Sequence, residues 1–318
     1  MHGWLILDKP LGLGSTQGVS AVKRALRTGG YGKAKVGHGG TLDPLATGVL
    51  PIAIGEATKL AGRMLDSDKV YDFTIRLGEQ TDTLDAEGRV IATSDVRPTR
   101  AEVEAVLPRF TGPIDQLPPA YSALKVDGQR AYDLARAGAE VVLATRAVTV
   151  HSLSRHPGLD PGSMLPQAPA PADGWMPDQV RHDGLDEVTL SAHVSKGTYI
   201  RSLARDIALA LGTVGHVTYL RRTRAGPFAL AQAITLDKLD EVAKARSLEH
   251  QLLPLSAGLD DIPALSLTPD QAGALRQGRV LVGIAAGDGQ AFAMLGSSPV
   301  ALVEVQDGNV RVVRGFNL

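Results

Sequence analysis

Cysteine is absent from the sequence. Disulfide bonds and thiolate-bound metal sites are therefore excluded, and the composition fits the reducing cytosol. Long hydrophobic runs are missing too, because no apolar stretch approaches the roughly 20 residues of a membrane-spanning helix. The opening residues MHGWLILDKP have neither the basic flank nor the apolar length of a signal peptide. These absences together predict a soluble protein of the cytoplasm.

A strong charge of one sign is also lacking. The 33 Lys and Arg residues nearly balance the 34 Asp and Glu residues, so the formal net charge is −1, whereas many nucleic-acid-binding domains are more basic. The basic residues nevertheless cluster in two windows that contain no acid, residues 23–35 and residues 221–224. Such clusters suit contacts with phosphates, but charge alone favours two ordinary solvated surfaces.

The 318 residues, 44% of them hydrophobic, are enough for a large domain and a small one. After Leu252 the sequence passes two prolines and becomes rich in β-forming residues. Residues 301–305 and 310–313 are two such runs, and Gln306-Asp307-Gly308-Asn309 between them is a hairpin signal. We therefore predict a large domain over residues 1–250 and a small, mostly β domain over residues 261–318.

Two helix starts can be located from local signals. Apolar residues at helical spacing predict a helix over residues 15–27, with Ser15 or Thr16 as its N-cap. Thr99 and Glu102 have the spacing of a capping box, which predicts a second helix beginning there.

Residues 155–184 differ from the rest of the chain. The segment contains six prolines and no sustained apolar period. It separates two sequences that predict strands and that a hairpin could otherwise join. We interpret it as a disordered, Pro- and Gly-rich insertion at the surface; an ordinary proline-rich loop is the alternative.

The most informative stretch is GHGGTLDPLATG at residues 37–48. Its four glycines permit positive φ angles and close approach to a ligand. Pro44 biases Asp43 away from the helical region, so the loop presents one carboxylate. An Asp in a glycine-rich loop is more often a turn residue than a catalytic group. The ending of a phosphate-binding loop is missing as well, so the pattern alone is a weak signal.

Residues 37–51, GHGGTLDPLATGVLP, resemble the catalytic-aspartate motif of the TruB family of tRNA pseudouridine synthases. Other segments resemble further motifs of this family in the family's order, so chance agreement is negligible. They are LDKP (residues 7–10), DSDKVY (66–71), RLG through TDT (76–83), YSALK (121–125), SKGTYIR (195–201) and YLRR (219–222).

The resemblance implies that Asp43 is the essential carboxylate and that Arg201 pairs with it. During the reaction the glycosidic bond breaks and the base rejoins the sugar through carbon. Asp43 would attack the uracil, attack C1′ of the ribose, or deprotonate the sugar, and the sequence does not choose between these. A carboxylate in a dry pocket needs a cation to stay ionised, which supports the role of Arg201.

The resemblance also implies residues that hold the target base. Tyr71 would stack on it and act on a proton, while Tyr199 and Leu220 would line the uracil pocket. By pattern alone these are core residues. Tyr71 alternates with Phe73 and Ile75 on the apolar side of a predicted strand, and Tyr199 and Leu220 fit ordinary packing equally well.

Three further residues are implied to contact RNA. His38 would help to hold the base out of its stack, and Lys9 and Lys125 would touch RNA or brace the site. A histidine beside glycines is otherwise a polar loop residue. The sequence departs from the family pattern at the Gly39-Gly40 pair, where relatives often carry a threonine followed by a glycine.

For the whole chain, the resemblance implies an α+β type of α/β fold with a central, mainly antiparallel mixed sheet flanked by helices. Residues 1–250 would be the catalytic domain and residues 261–318 a PUA-like RNA-binding domain. The expected partner is the T-arm stem-loop of tRNA, whose uridine 55 would be flipped out. The expected enzyme is a monomer that needs neither cofactor nor metal, with a second role in tRNA folding.

Two alternatives remain open. One is an RNA-binding protein that assists tRNA folding without catalysis, although keeping both Asp43 and Arg201 argues against it. The other is an unrelated hydrolase with Asp43 as its nucleophile. That reaction needs a base or a metal near Asp43, and the sequence offers no convincing partner.

Overall fold

The computed structural model describes residues 1–122, 124–126, 129–132, 143–156 and 184–318. The predicted insertion at residues 155–184 therefore lies outside the described residues, except at its two ends. Among the residues described, no helix is both long and apolar enough to cross a membrane.

The described chain forms a series of strands with α-helices between some of them. The strands are β1 (Gly3–Lys9), β2 (Val36–His38), β3 (Ala46–Ile54), β4 (Lys69–Leu77), β5 (Glu79–Thr81), β6 (Val90–Thr93), β7 (Gly112–Gln116), β8 (Lys125–Val126), β9 (Gln129–Arg130), β10 (Arg146–Arg155), β11 (Glu187–Val194), β12 (Gly215–Ala225), β13 (Phe228–Ala229), β14 (Ala264–Ser266), β15 (Gly289–Leu295), β16 (Ser298–Gln306) and β17 (Asn309–Gly315). The α-helices are α1 (Ser15–Thr28), α2 (Ala61–Asp66), α3 (Arg100–Val106), α4 (Ile200–Ala210), α5 (Leu236–Lys244) and α6 (Pro269–Arg276).

The chain folds into two compact units. The first consists of Met1–Pro44, Gly48–Ser67 and Arg224–Leu318. The second consists of Leu45–Thr47 and Asp68–Thr223.

In the first unit, β1 and β3 pair antiparallel, with Lys9 opposite Gly48 at the end of the pairing. The strand β2 also pairs with β3. One layer of core lies between these strands and the helices α1 and α5. A second layer surrounds the fully buried Trp4, whose ring lies 5.2 Å from that of Phe228.

The C-terminal part of the first unit is a separate four-stranded sheet in the order β14-β15-β16-β17. The helix α6 packs on it over a small apolar core of its own. Asp307 and Gly308 join β16 and β17 with positive φ angles of 49° and 72°, as a two-residue hairpin turn requires. The predicted hairpin and the β-rich module at the C-terminus are therefore confirmed.

The second unit contains a sheet in the order β12-β4-β11-β10-β7. Its pairs β4–β11, β11–β10 and β10–β7 are antiparallel. One face, which includes Tyr71, Phe73 and Ile75, packs against α3 and α4. The other face is polar, and Thr74 and Thr189 are hydrogen-bonded there at 2.8 Å. The predicted fold class, mainly antiparallel sheet with flanking helices and a small β module, is confirmed.

The two predicted helix caps have different outcomes. The capping box of Thr99 and Glu102 is confirmed at the start of α3. The cap of α1 was predicted wrongly, because its N-cap is Gly14, whose N–H donates to Gln17 Oε1 at 2.7 Å. The hydroxyl of Ser15 instead forms hydrogen bonds with the backbone of Leu42.

Candidate active site

Asp43 lies in the loop between β2 and β3, and its side chain is partly exposed. The loop approaches α2 so closely at Gly39 that a Cβ there would stand 2.6 Å from the Cβ of Met64. Gly40 follows with a φ of 144°, a conformation that favours glycine. The glycines therefore set the path of this loop through close packing at one position and backbone conformation at the next.

The residue before Asp43 is fixed by a buried hydroxyl. Ser15 Oγ accepts the N–H of Leu42 at 2.8 Å and donates to the carbonyl oxygen of Leu42 at 2.9 Å. One side chain at the start of α1 thus satisfies both backbone groups of Leu42. The apolar side chain of Leu42 is itself buried, which anchors the loop a second time.

The residue after Asp43 is held by a buried ammonium group. Lys9 is 0% exposed, and its Nζ donates to the carbonyl oxygens of Leu13 at 2.6 Å, Pro10 at 3.1 Å and Pro44 at 3.3 Å. An ammonium group has three hydrogens to donate. Asp43 therefore stands between two residues whose backbones are bonded by buried side chains, and it is itself partly exposed.

His38 is the last residue of β2 and is partly exposed. Its backbone lies opposite Ile52 of β3. Its Nδ1 accepts a long hydrogen bond of 3.4 Å from the N–H of Gly40. In the neutral histidine this contact favours the tautomer with the proton on Nε2.

Arg201, at the start of α4, is buried, and its guanidinium group forms hydrogen bonds with two loops of the second unit. Nη1 donates to Asp85 Oδ2 at 3.0 Å and to the carbonyl oxygen of Thr83 at 2.9 Å. Nη2 donates to the carbonyl oxygen of Tyr121 at 3.0 Å. Only 9% of the Arg201 side chain and 12% of the Asp85 side chain are exposed, so this ion pair is shielded from water.

The loop that carries Asp85 is tightly organised. Asp85 Oδ1 accepts from Thr83 Oγ1 at 2.5 Å and from the N–H of Glu87 at 3.1 Å. Leu84 between them has a φ of 62°, which is uncommon for a residue with a side chain and costs free energy. Such conformations persist where neighbouring contacts over-determine them, and the contacts to Arg201 on both sides of Leu84 do so here.

The residues predicted to surround the base also lie in the second unit. Tyr71 and Leu220 are partly buried against the same apolar core, which Ile200 of α4 completes. The backbone of Tyr199 is held by Gln116, which accepts its N–H at 2.7 Å and donates to its carbonyl oxygen at 3.1 Å. The side chain of Lys125 lies outside the described residues.

The sequence motifs thus separate by unit. Lys9, His38 and Asp43 belong to the first unit, and Tyr71, Tyr199, Arg201 and Leu220 belong to the second. The pair of Asp43 and Arg201 stays a prediction.

Several residues that organise the site were missed in the sequence. Asp85 is the clearest, although it stands two positions after the quoted TDT motif, where an acid among apolar neighbours was a usable signal. Gln116 carried no signal at all. The interpretation of residues 221–224 as a solvated surface is wrong for Arg222, which is 1% exposed, and right for Arg224, which is exposed. Arg221 is partly buried, and its Nη1 donates to Thr47 Oγ1 at 3.3 Å.

Solved structures with the same fold include proteins from two larger complexes. The chain matches a protein in "Structure of H/ACA RNP bound to a substrate RNA containing 2'-deoxyuridine" with a TM-score of 0.69 and 23% identity, over 99% of this chain and 85% of that one. It matches one in a Cbf5-Nop10-Gar1 complex with a TM-score of 0.67 and 25% identity, over 99% and 84%. These likenesses support the fold.

Family models and relatives define the class. Residues 26–161 match the N-terminal domain of TruB family pseudouridylate synthases, and residues 201–260 match the C-terminal domain of tRNA pseudouridylate synthase B. Two relatives named tRNA pseudouridine synthase B are 63% identical in Novosphingobium aromaticivorans, over 100% of this chain and 98% of that protein, and 57% identical in Zymomonas mobilis, over 100% and 96%. The chain is therefore a pseudouridine synthase, and enzymes of this class are isomerases. Within that class it belongs to the TruB family.

Proposed function

We propose that this enzyme converts uridine 55 in the T-loop of tRNA to pseudouridine, with Asp43 as its catalytic carboxylate. The observation that carries the proposal is the loop of Asp43. Buried side chains bond the backbone on both sides of Asp43, through Ser15 at Leu42 and through Lys9 at Pro44, and Asp43 is partly exposed. Such a positioned reactive group is what covalent or acid–base chemistry needs.

The reaction exchanges one bond for another within a single nucleotide. The C1′–N1 bond breaks, the base turns, and C1′ bonds to C5 of the ring. The proton on C5 is lost and N1 gains one, so no oxidant, reductant or cofactor is consumed. Attack by Asp43 on the base, attack on C1′, and removal of a sugar proton all satisfy this balance.

We further propose that Arg201 keeps Asp43 ionised in the complex with RNA. Its guanidinium group is already committed to Asp85 and to two loop carbonyls, which holds it in a fixed orientation. A second carboxylate beside it would be stabilised by the same fixed charge. In this proposal Asp85 is a positioning residue that acts through Arg201.

The remaining predicted residues are proposed to hold the everted base. Its extraction costs about a few kcal/mol of unstacking. Tyr71 would stack on the ring, Tyr199 and Leu220 would line its pocket, and His38 would contact the RNA. Lys9 is proposed as a brace of the loop, since its ammonium group is fully buried. Lys125 remains proposed as an RNA contact.

A groove of about 810 Å³ beside α1 supports binding of RNA phosphates. Lys23 and Arg27 lie four residues apart on one face of α1 and, with Lys33, line this groove. All three side chains are exposed, as contacts with a phosphate backbone require. We propose residues 1–250 as the catalytic domain and the sheet within residues 261–318 as a PUA-like module that extends this grip.

The test is Asp43→Asn assayed on a T-arm stem-loop RNA. Pseudouridine formation is expected to disappear while RNA binding persists, because the substitution removes the charge and keeps the shape. Asp115→Asn, at an exposed position, is the control and should remain fully active. An Asp43→Asn variant that makes pseudouridine at the normal rate would refute the assignment.

The same variant examines the second proposed role, assistance in tRNA folding. If Asp43→Asn is inactive but still accelerates the folding of unmodified tRNA, the two roles are separate. If it loses both at unchanged RNA affinity, the folding role is refuted.

A further inference from the structure

Three side chains that can bind a metal ion meet on the polar face of the second unit's sheet, outside the proposed site. They are Asp68, His151 and His193, and one ligand atom from each lies within 4.8 Å of the others. His151 Nε2 stands 3.0 Å from Asp68 Oδ2, and His193 Nε2 stands 3.8 Å from the same oxygen. Between 31% and 43% of each side chain is exposed, whereas the Nε2 atom of His193 is buried.

Two features of the sheet bring the three residues together: the pairing of β11 with β4, and a register shift between β10 and β11. His193 of β11 lies opposite Val70 of β4, and Asp68, two positions before Val70, extends onto the same face. The pairing of β10 with β11 shifts between Val150 and Ser152. His151 is therefore the extra residue of a β-bulge, a device that redirects a side chain. Its ring lies 4.7 Å from that of His193, inclined by 46°.

We propose that Asp68, His151 and His193 bind one divalent transition-metal ion of the zinc class. Zn²⁺ binds imidazole nitrogen and carboxylate oxygen at about 2.0–2.2 Å in a tetrahedral arrangement, which spaces the ligand atoms by about 3.3 Å. The two distances to Asp68, 3.0 Å and 3.8 Å, bracket that spacing. Rotation of the two histidine rings would bring their nitrogens to that spacing, and a water molecule would supply the fourth ligand.

The ligand set also selects the kind of metal. Two imidazoles and one carboxylate suit Zn²⁺, Ni²⁺ and Cu²⁺, whereas Mg²⁺ and Ca²⁺ prefer oxygen ligands alone. One carboxylate and two neutral imidazoles leave a net charge of +1 on the bound centre. The bound ion ties the beginning of β4 to β10 and β11. This inference does not depend on the proposed RNA chemistry.

The same face offers a matched control. His156 Nε2 lies 3.7 Å from Asp72 Oδ2, so it forms a histidine–carboxylate pair on β4 and at the end of β10. Among the residues described, this pair has no third ligand that completes a metal group. His156→Asn therefore changes an equivalent pair without touching the proposed metal ligands.

The experiment is calorimetric titration of the full, tag-free chain with Zn²⁺ and separately with Mg²⁺. One Zn²⁺ is expected to bind per chain, with negligible binding of Mg²⁺. Loss of a residue that only hydrogen-bonds a metal ligand weakens metal affinity by about 10–100-fold. His151→Asn and His193→Asn each remove a ligand itself, so each should weaken Zn²⁺ binding by more than that. His156→Asn should bind Zn²⁺ as the unsubstituted chain does.

A second measurement guards against misfolded variants. Zn²⁺ should raise the Tm of the unsubstituted chain and of His156→Asn, but not that of His151→Asn or His193→Asn, whose melting without metal should be unchanged. The proposal is overturned by absence of saturable Zn²⁺ binding, by equal binding of Mg²⁺, by full binding in both ligand variants, or by equal loss in His156→Asn.

Discussion

Two buried cations, Lys9 and Arg201, organise different regions of the molecule in different ways. Lys9 directs its ammonium group at three backbone carbonyls around the loop of Asp43. Arg201 shares its guanidinium group between one carboxylate and two carbonyls. The bonds of Lys9 reach backbone dipoles on both sides of a loop, and those of Arg201 join a carboxylate to two backbone dipoles. The difference predicts what each region loses when its cation is removed.

Removing Arg201 should have the largest effect on stability. Arg201→Met leaves the Asp85 carboxylate buried without its partner, which costs about 3–5 kcal/mol for a pair of this kind. Urea denaturation should report the loss as a lower midpoint. A loss below about 1 kcal/mol, the range of exposed ion pairs, would contradict the comparison.

The double variant Asp85→Asn with Arg201→Met separates stability from chemistry. It removes both charges, so part of the lost stability should return. Activity should stay low, because Arg201 is proposed to hold Asp43 as well. Activity that returns together with stability would restrict Arg201 to a structural role.

Lys9→Met should have the second largest effect. Methionine fills similar space but removes the ammonium donor from three carbonyl oxygens, of which that of Pro44 keeps another donor, the N–H of Gly12 at 2.8 Å. One buried unsatisfied group costs about 1–3 kcal/mol. Because Pro44 is one of the three, kcat should fall as the loop of Asp43 loosens. Lys238→Met is the control, since Lys238 pairs with Glu241 at an exposed position. Equal losses in the two variants would refute the role of Lys9.

Gly39→Ala tests whether the loop of Asp43 depends on close packing as well as on Lys9. A Cβ at position 39 would overlap the Cβ of Met64 at 2.6 Å, and overpacking typically costs about 1–3 kcal/mol. At Gly37 a Cβ would meet nothing within 4 Å, so Gly37→Ala should leave stability nearly unchanged. Thermal melting of the two variants measures the difference, and equal Tm values would contradict it.

The comparison also shows which features a sequence can reveal. The capping box at Thr99 and the hairpin at Asp307-Gly308 depend on neighbours a few positions away, and both were predicted correctly. Ser15 was misassigned, because the local cap signal competed with a bond to Leu42, 27 positions distant. Asp85 was missed as the partner of Arg201 because 116 positions separate them. Residue patterns identified the family and its motifs, while long-range packing chose the partners.

Substitution of an exposed carboxylate, Glu102, should have the smallest effect on stability, and it can be compared with that of the buried Asp85. Glu102 Oε2 accepts from the N–H of Thr99 at 2.7 Å and from its hydroxyl at 2.8 Å, and these bonds hold the pKa of Glu102 below its ordinary value.

A carboxylate with a depressed pKa stabilises the folded state above its unfolded pKa, and this stability is lost as the pH falls through the folded pKa. Glu102→Gln should therefore lower the Tm slightly at neutral pH, and the difference should vanish in acid. Melting curves from neutral to acidic pH measure it. A difference that grows as the pH falls would show that the bonds from Thr99 do not favour the ionised form.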